Sequence, residues 1–249
     1  MGKIQRDAGK IQNMIQGKSV LAIIPARGGS KGIPKKNVKL LAGKPLIAWT
    51  IQEAKKSKYI DRLILSSEDE EIIRIAKEWG CEVPFVRPAE LAKDDTPGIE
   101  PVLHAMKALD EKYDYVVLLQ PTSPLRLVDD IDRCIETCVS SSAPSCVSVT
   151  EVNQHPYLMY KIDKKGSLEP FRDQKNEIHR RQDLPLVYIL NGAVYVSKTN
   201  RIEKTRAFVM PETIAYIMPK ERSYDIDTEL DFNICEFLIS IRSQRMTNL

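Results

Sequence analysis

Short apolar runs alternate along this chain with longer stretches in which apolar residues recur every three or four positions. The short runs are typical of buried β-strands, and the longer stretches are typical of amphipathic helices. Strands are predicted at residues 20–25, 62–66, 83–86, 115–120, 146–150, 192–197 and 213–218. Helices are predicted at residues 45–57, 69–79, 98–109, 128–139 and 228–241. Gly80 directly follows the second helix and is a typical C-terminal stop signal.

Up to residue 150 this order predicts the α/β class, with a mostly parallel sheet and helices on both of its faces. Residues 151–188 are instead polar and irregular, and they contain Pro156, Pro170 and Pro185. A structureless stretch of that length is unusual inside a compact domain. We therefore predict a protruding arm that packs on a second subunit, which would make the protein a homodimer.

Composition predicts a globular cytoplasmic protein. The chain has 249 residues, of which 43% are hydrophobic and 29% are charged. No stretch approaches the roughly 20 apolar residues that a membrane span requires, and residues 1–18 lack the apolar core of a secretory signal. We expect an N-terminal extension at residues 1–18 and one domain at residues 19–249, with the arm inserted in it at residues 151–188.

The net charge of +3 arises in the first 18 residues. This segment contains Lys3, Arg6, Lys10 and Lys18 against Asp7, so the rest of the chain has equal numbers of basic and acidic residues. A balanced surface argues against nucleic acid as a partner. The five cysteines form no C-x-x-C pair, and in a cytoplasmic setting they are expected to be free thiols.

The loop after the first predicted strand reads PARGGSKGIPKKN, at residues 25–37. Its glycine spacing fits neither a Walker loop nor a dinucleotide-binding fingerprint. Glycines allow backbone N–H groups to approach an anion closely. The loop combines three glycines with four cations, namely Gly28, Gly29, Gly32, Arg27, Lys31, Lys35 and Lys36. This composition suits a triphosphate, and the alternative interpretation is a solvated basic turn.

Two carboxylates, Asp225 and Asp227, lie just before the last predicted helix. Two-residue spacing in an extended segment places both side chains on one side. Hard oxygen ligands of this kind suit Mg²⁺ or Mn²⁺, with phosphate oxygens completing the coordination. The alternative is that Asp227 or Thr228 caps the helix. We assign Asp231 a structural role.

Several linked motifs resemble those of the acylneuraminate cytidylyltransferases, also called CMP-sialic acid synthetases. They are ARGGSKGIPKKN, RPAELAKDDT, LLQPTSPLR, NGAVYV and DIDTELD, and together they span residues 20 to 240. The resemblance implies a Rossmann-like, three-layer nucleotidyltransferase fold. It also implies the reaction of CTP with an acidic nine-carbon sugar, which gives a CMP-sugar and pyrophosphate and uses a divalent metal.

By the same resemblance, one group of residues binds the nucleotide: Arg27, Gly28, Gly29, Ser30, Lys31, Lys36, Asn37, Arg87 and Gly98. Arg27, Lys31, Asp225 and Asp227 form the predicted catalytic set. Arg87 would contact cytosine, and the alternative for it is a salt-bridging surface arginine. Gly98 stands where the family often has a serine, which leaves the choice between CTP and GTP open.

The residues implied on the acceptor side are Gln120, Arg181, Asn191, Tyr195 and Phe208. Thr122, Ser123 and Arg126 either shape this pocket or form a turn. At two positions where the family has basic residues, this chain has Leu158 and Ile189. We therefore expect a less hydroxylated acceptor, such as legionaminic acid.

Three other functions are weighed against this prediction. A related enzyme could use KDO, pseudaminic acid, or GTP with a sugar phosphate. A non-catalytic nucleotide-binding regulator would retain the basic loop but would not need the paired aspartates. An NAD-binding domain is disfavoured by the glycine spacing.

Overall fold

A six-stranded sheet forms the centre of the computed structural model, which describes residues 15–171, 180 and 184–247. Its strands are β1 (Val20–Pro25), β4 (Arg62–Ser66), β5 (Tyr115–Leu118), β6 (Ser145–Glu151), β9 (Tyr188–Lys198) and β10 (Ile214–Ile217). Two hairpins pair β2 (Leu40–Leu41) with β3 (Lys44–Pro45) and β7 (Tyr160–Ile162) with β8 (Leu168–Pro170). The sheet order is β10-β6-β9-β5-β1-β4, and only β9 runs antiparallel to its neighbours.

Helices cover both faces of this sheet. They are α1 (Leu46–Lys56), α2 (Glu70–Glu78), α3 (Glu100–Ala108), α4 (Val128–Ser140), α5 (Thr199–Thr205) and α6 (Glu229–Thr247). Alternate residues of β1 point to opposite faces: Ala22 packs with apolar residues of α1, α2 and α4, and Ile23 packs with those of α3 and α5. This arrangement confirms the predicted three layers. Gly80 is left-handed (φ 78°) and follows α2, as predicted.

Three secondary-structure predictions were wrong or incomplete. Residues 83–86 do not form a strand, and the nearest pairing is an isolated bridge between Ile64 and Glu82. Pro84 and Pro88 lack the N–H groups that a strand ladder needs, which explains the difference. Helix α5 was not predicted, because it buries only Ile202 and therefore has no apolar periodicity. The two hairpins were not predicted because their strands are only two or three residues long.

The arm is more ordered than its composition suggested. Strands β7 and β8 form their own antiparallel sheet outside the central one. Its apolar side chains are exposed, among them Tyr160, Ile162, Leu168 and Phe171. Residues 172–179 and 181–183 lie outside the described part of the chain. Dimerisation through this arm remains a prediction.

All five cysteines are buried and none forms a disulfide, which confirms the prediction of free thiols. Among the described residues, no helix has the length and apolar character needed to cross a membrane. The boundary between an extension at residues 1–18 and a single following domain remains a prediction.

Candidate active site

The basic loop after β1 meets the aspartate segment before α6, although the two are far apart in the chain. Lys36 Nζ donates to the Ile226 carbonyl oxygen at 2.5 Å and lies 3.3 Å from Asp227 Oδ1. A Cβ atom on Gly32 would lie 2.1 Å from the Asp227 carbonyl oxygen, so the two backbones are in direct contact. The ends of parallel strands share one edge of a sheet, and this edge is where open α/β sheets bind ligands.

Two cations of the loop face a carboxylate that the sequence did not suggest. Arg27 and Lys31 each lie 2.8 Å from an oxygen of Asp94. The hydrogen bond from Lys31 and the charge of Arg27 hold the pKa of Asp94 below its usual range. A ligand that pairs with these two cations has to compete with Asp94. Lys35 is left-handed (φ 52°) and pairs with Glu71 instead.

The loop is held in shape from behind. Asn37 is buried and its Nδ2 donates to the Arg27 carbonyl oxygen at 3.0 Å, which closes the loop. The Gly28 N–H donates to Glu68 Oε1 at 2.7 Å, and a Cβ atom on Gly28 would lie 2.4 Å from Asp69 Oδ2. Gly29 and Ser30 lie at the accessible tip of the loop. Asn37 therefore has a loop-closing contact in addition to its predicted contact with the nucleoside.

Arg87 is buried, with only 4% of its surface exposed, so its interpretation as a surface arginine is wrong. Its guanidinium pairs with Glu68 and also donates to the Ala26 carbonyl oxygen at 3.1 Å. Glu68 thus connects Arg87 with the N–H of Gly28 in the basic loop. Gly98 lies exposed in the turn before α3, with open space around its Cα. Contacts of Arg87 and Gly98 with a base remain predictions.

The aspartate pair has two different environments. Asp225 is exposed and lines a cavity, yet the protein around its carboxyl raises its pKa by desolvation, and the charge of Asp227 acts in the same direction. The side chain of Asp227 is 77% exposed. The helix cap is formed by Thr228, whose N–H and hydroxyl both donate to Asp231 Oδ2 at 2.8 and 2.7 Å. Capping therefore does not occupy the Asp227 carboxylate, and Asp231 is structural, as predicted.

Two carboxylates spaced two residues apart, of which Asp227 lies 3.3 Å from the Lys36 ammonium, fit a hard divalent cation. Among the described residues, no three His, Cys, Asp or Glu side chains cluster closely enough to bind a metal by themselves. Mg²⁺ typically retains waters and binds through one or two carboxylates together with substrate phosphates. Asp225 and Asp227 match this donor set, so the residues fit the metal that the sequence implies.

Two of the residues predicted to contact the acceptor, Gln120 and Tyr195, are found near Asp225, and a third, Phe208, packs against Tyr195. A Cβ atom on Gly192 would lie 2.6 Å from Gln120 Oε1 and 3.5 Å from Asp225 Oδ2, so these two side chains converge. Burial and the nearby Asp225 charge raise the pKa of Tyr195. The rings of Tyr195 and Phe208 pack with their centroids 5.7 Å apart.

Asn191 and Arg181 complete the predicted acceptor set. The Asn191 carboxamide is buried and makes all its hydrogen bonds inside the protein, which contradicts a direct contact with the sugar. Arg181 lies outside the described residues. Arg126 is also fully buried and donates to the Gln120 and Ala193 carbonyl oxygens, which supports the turn interpretation for this residue.

Sequence reasoning missed Asp94 and Glu68, because their partners lie 19 to 67 positions away in the chain. Glu68 stands directly after the end of β4, and its position at the ligand edge of the sheet was a usable signal. Asp94 belongs to a charged turn, K-D-D, which carries no comparable signal.

The fold and site define a three-layer α/β protein with a polyphosphate-type site at the carboxyl edge of its sheet, which is the architecture of a nucleotidyltransferase. The family profile described as Cytidylyltransferase matches residues 21–234, and the chain belongs to this family. The match confirms the family predicted from the linked motifs.

Two relatives and one solved structure show how broad the similarity is. CMP-N,N'-diacetyllegionaminic acid synthase of Legionella pneumophila is 34% identical over 232 residues, which cover 91% of this chain and 99% of the relative. N-acylneuraminate cytidylyltransferase of Streptococcus agalactiae is 38% identical over 215 residues, which cover 85% of this chain and 51% of that relative. The structure of CMP:2-keto-3-deoxy-manno-octonic acid synthetase complexed with CTP has a TM-score of 0.66 at 14% identity, covering 90% of this chain and 99% of that one. At that identity the last match supports the fold alone.

Proposed function

We propose that this protein transfers CMP from CTP to a nonulosonic acid and releases pyrophosphate. The observation that carries the proposal is the contact between the basic loop and the aspartate segment, through Lys36, Asp227 and Gly32. Cations and carboxylates at one place are needed to bind a polyphosphate together with its metal. The named activities of the two relatives support CTP and a nonulosonic acid as the substrates.

The phosphates would lie along the basic loop. Arg27 and Lys31 exchange Asp94 for phosphate oxygens, and they stabilise the charge that builds on the departing pyrophosphate. Asp225 and Asp227 would hold Mg²⁺ or Mn²⁺, whose positive charge lowers the repulsion between the attacking oxygen and the phosphates. Lys36 keeps the two segments at a fixed distance.

In the proposed reaction, the anomeric hydroxyl oxygen of the acceptor forms a bond to the α-phosphorus of CTP. The bond from that phosphorus to the bridging oxygen of pyrophosphate breaks in line, and the hydroxyl proton passes to a carboxylate, for which Asp225 is the candidate. Gln120 and Tyr195 lie near Asp225 and, with Phe208 packed against Tyr195, would orient the sugar. Catalysis then rests on positioning and charge stabilisation.

The acceptor would extend into a cavity of about 440 Å³ that Asp225 helps to line. Much of its wall is apolar and includes Pro156, Met159 and Ile189. Of the described residues that line it, Lys220 is the one basic side chain. It lies 3.2 Å from the Glu151 carboxylate, and we propose that it exchanges this partner for the acceptor carboxylate. An apolar wall suits methyl and N-acyl groups better than hydroxyl groups. This favours an acceptor of the diacetamido, legionaminic type over sialic acid.

A coupled pyrophosphate assay tests the proposal. Purified protein is given CTP or GTP together with each of legionaminic, pseudaminic, sialic and KDO-type acids, with Mg²⁺ or with chelator. We expect metal-dependent pyrophosphate release with CTP, fastest with the legionaminic acid. Preference for GTP or for KDO would replace the proposed substrates, and binding of CTP without turnover on any acid would indicate a regulatory protein instead.

We also propose a cytoplasmic homodimer that forms through the arm. Four exposed apolar side chains on the β7–β8 hairpin support an interface, because patches of this kind mark association sites. Light scattering should give twice the chain mass, and Ile162→Lys should reduce it to the mass of one chain. Phe237→Lys is the matched control, since Phe237 is also exposed (63%, against 73% for Ile162) but lies on α6. A monomeric wild type would contradict this proposal.

A further inference from the structure

Asn191 lies at an irregularity between β6 and β9. The pairing of these strands shifts register between Val147 and Val149, and Gly192, which follows Asn191, is left-handed (φ 71°). A bulge of this kind leaves ladder groups unpaired and changes where side chains point. Only 4% of the Asn191 surface is exposed.

Side chains replace the missing ladder hydrogen bonds at this point. Ser148 Oγ donates to Asn191 Oδ1 at 2.6 Å and accepts from the Val194 N–H at 2.8 Å. The Ala193 N–H donates to Asn191 Oδ1 at 3.2 Å. Both acceptor positions of the carboxamide oxygen are thus occupied, which fixes the direction of its nitrogen.

The nitrogen of Asn191 points toward the segment that carries the aspartates. It donates to Ser223 Oγ at 3.0 Å and lies 3.2 Å from Met218 Sδ. Ser223 Oγ in turn donates to the Pro219 carbonyl oxygen at 2.8 Å. Ser223 is two residues before Asp225, so this contact ties the start of the segment to a central strand of the sheet.

Other contacts hold the same segment further along. The Ile226 N–H donates to the Thr122 carbonyl oxygen at 2.9 Å, and Lys36 binds the carbonyl of Ile226. Arg222 makes two hydrogen bonds to the buried Asp130, at 2.8 and 2.9 Å. The positions of both carboxylates are therefore set by partners on each side of them, and Asn191 is the partner that the central strand supplies.

We propose that Asn191, acting through Ser223, is a positioning residue for the Asp225–Asp227 pair and does not contact the acceptor sugar. The inference rests on the proposed function, because it assumes that the pair binds a divalent metal with CTP. Groups that orient metal ligands typically contribute about 10- to 100-fold to metal affinity or activity. Asn191 bonds to Ser223 and not to either aspartate, so we expect its contribution to metal affinity to be at the lower end of that range.

The test uses Ser223→Ala, which removes the link but leaves the buried carboxamide in place. Mn²⁺ affinity is measured by electron paramagnetic resonance in the presence of CTP and without acceptor, and the acceptor KM is measured separately at saturating metal. We expect Mn²⁺ affinity to fall about tenfold, with the acceptor KM within about twofold of wild type. Ser197→Ala is the matched control, because Ser197 is buried in β9 like Asn191 but bonds to backbone at the far end of the strand. It should change neither quantity.

Asn191→Ala and the double variant complete the test. If the two residues act as one link, the double variant should lose no more Mn²⁺ affinity than the larger single loss. A raised acceptor KM with unchanged Mn²⁺ affinity in Asn191→Ala would overturn the inference, and so would normal Mn²⁺ affinity in Ser223→Ala. A wild-type protein that binds CTP without any bound Mn²⁺ would overturn the proposed function as well, which distinguishes the two failures.

Discussion

Gly32→Ala tests the contact between the basic loop and the aspartate segment. The new Cβ would lie 2.1 Å from the Asp227 carbonyl oxygen, whereas real Cβ atoms are essentially never found within 3.0 Å of another heavy atom. The two backbones must therefore separate by about 0.9 Å. A misplacement of about 1 Å in an active site can lower the rate about 100-fold, so we expect a loss of that size in kcat for pyrophosphate release.

Lys35→Asn provides the matched control. Lys35 lies in the same loop but pairs with Glu71, away from Asp227, and its left-handed conformation is one that Asn tolerates. This variant should keep at least about half of wild-type kcat, because it loses only an exposed ion pair, and such pairs contribute about 0–1 kcal/mol. Circular dichroism melting checks that both variants are folded. Near-normal turnover in Gly32→Ala, or equal losses of kcat in the two variants, would show that the contact between Gly32 and Asp227 does not position the site.

The remaining predictions concern charged and hydrogen-bonded groups. Asp227→Ala should reduce metal-dependent pyrophosphate release below about a tenth of wild type with little change in melting temperature, because exposed ion pairs contribute only about 0–1 kcal/mol. Asp231→Ala, which removes the acceptor of the Thr228 hydrogen bonds at the start of α6, should instead cost about 1 kcal/mol of stability. Arg87→Ala should cost about 3 kcal/mol in urea unfolding, because it leaves the Glu68 carboxylate without its buried partner, and a loss below 1 kcal/mol would contradict that. Burial and the Asp130 charge raise the pKa of Tyr216 to about 12, so the unfolded chain releases this proton first as the pH rises. The folding stability of wild type should therefore fall by about 2 kcal/mol between roughly pH 10 and 12, whereas Tyr216→Phe should show no such fall. If the two proteins gave parallel curves of stability against pH, the Tyr216 proton would not be the cause.

The elements with strong apolar periodicity could be predicted from sequence almost to the residue. Strands β1 and β4 have their predicted bounds, and α4 differs from its prediction by one residue. Weakly patterned elements could not be predicted, because α5 and the hairpins bury too few apolar residues to show a period. The direction of β9 was also not predictable, since a buried strand has the same apolar pattern whichever way it runs.

The site was predictable where one rule sufficed, namely that loops at the carboxyl ends of parallel strands meet. By this rule the basic loop and the aspartate segment belong at one edge of the sheet, where Lys36 lies 3.3 Å from Asp227 although 191 positions separate them. The rule could not predict which way the Asn191 side chain points, because the bulge that turns it inward depends on the pairing of β9 with β6. The pairing of Asp94 with Arg27 could not be predicted either, because it depends on distances in the folded protein that the sequence around Asp94 does not reveal.

The most direct test of the account is a crystal structure with CTP and Mn²⁺, in which anomalous scattering locates the metal. We predict one anomalous peak within about 2.5 Å of carboxylate oxygens of Asp225 or Asp227, with the triphosphate between that peak and Arg27 and Lys31. A triphosphate bound away from the basic loop, or a metal that contacts neither aspartate, would contradict the account.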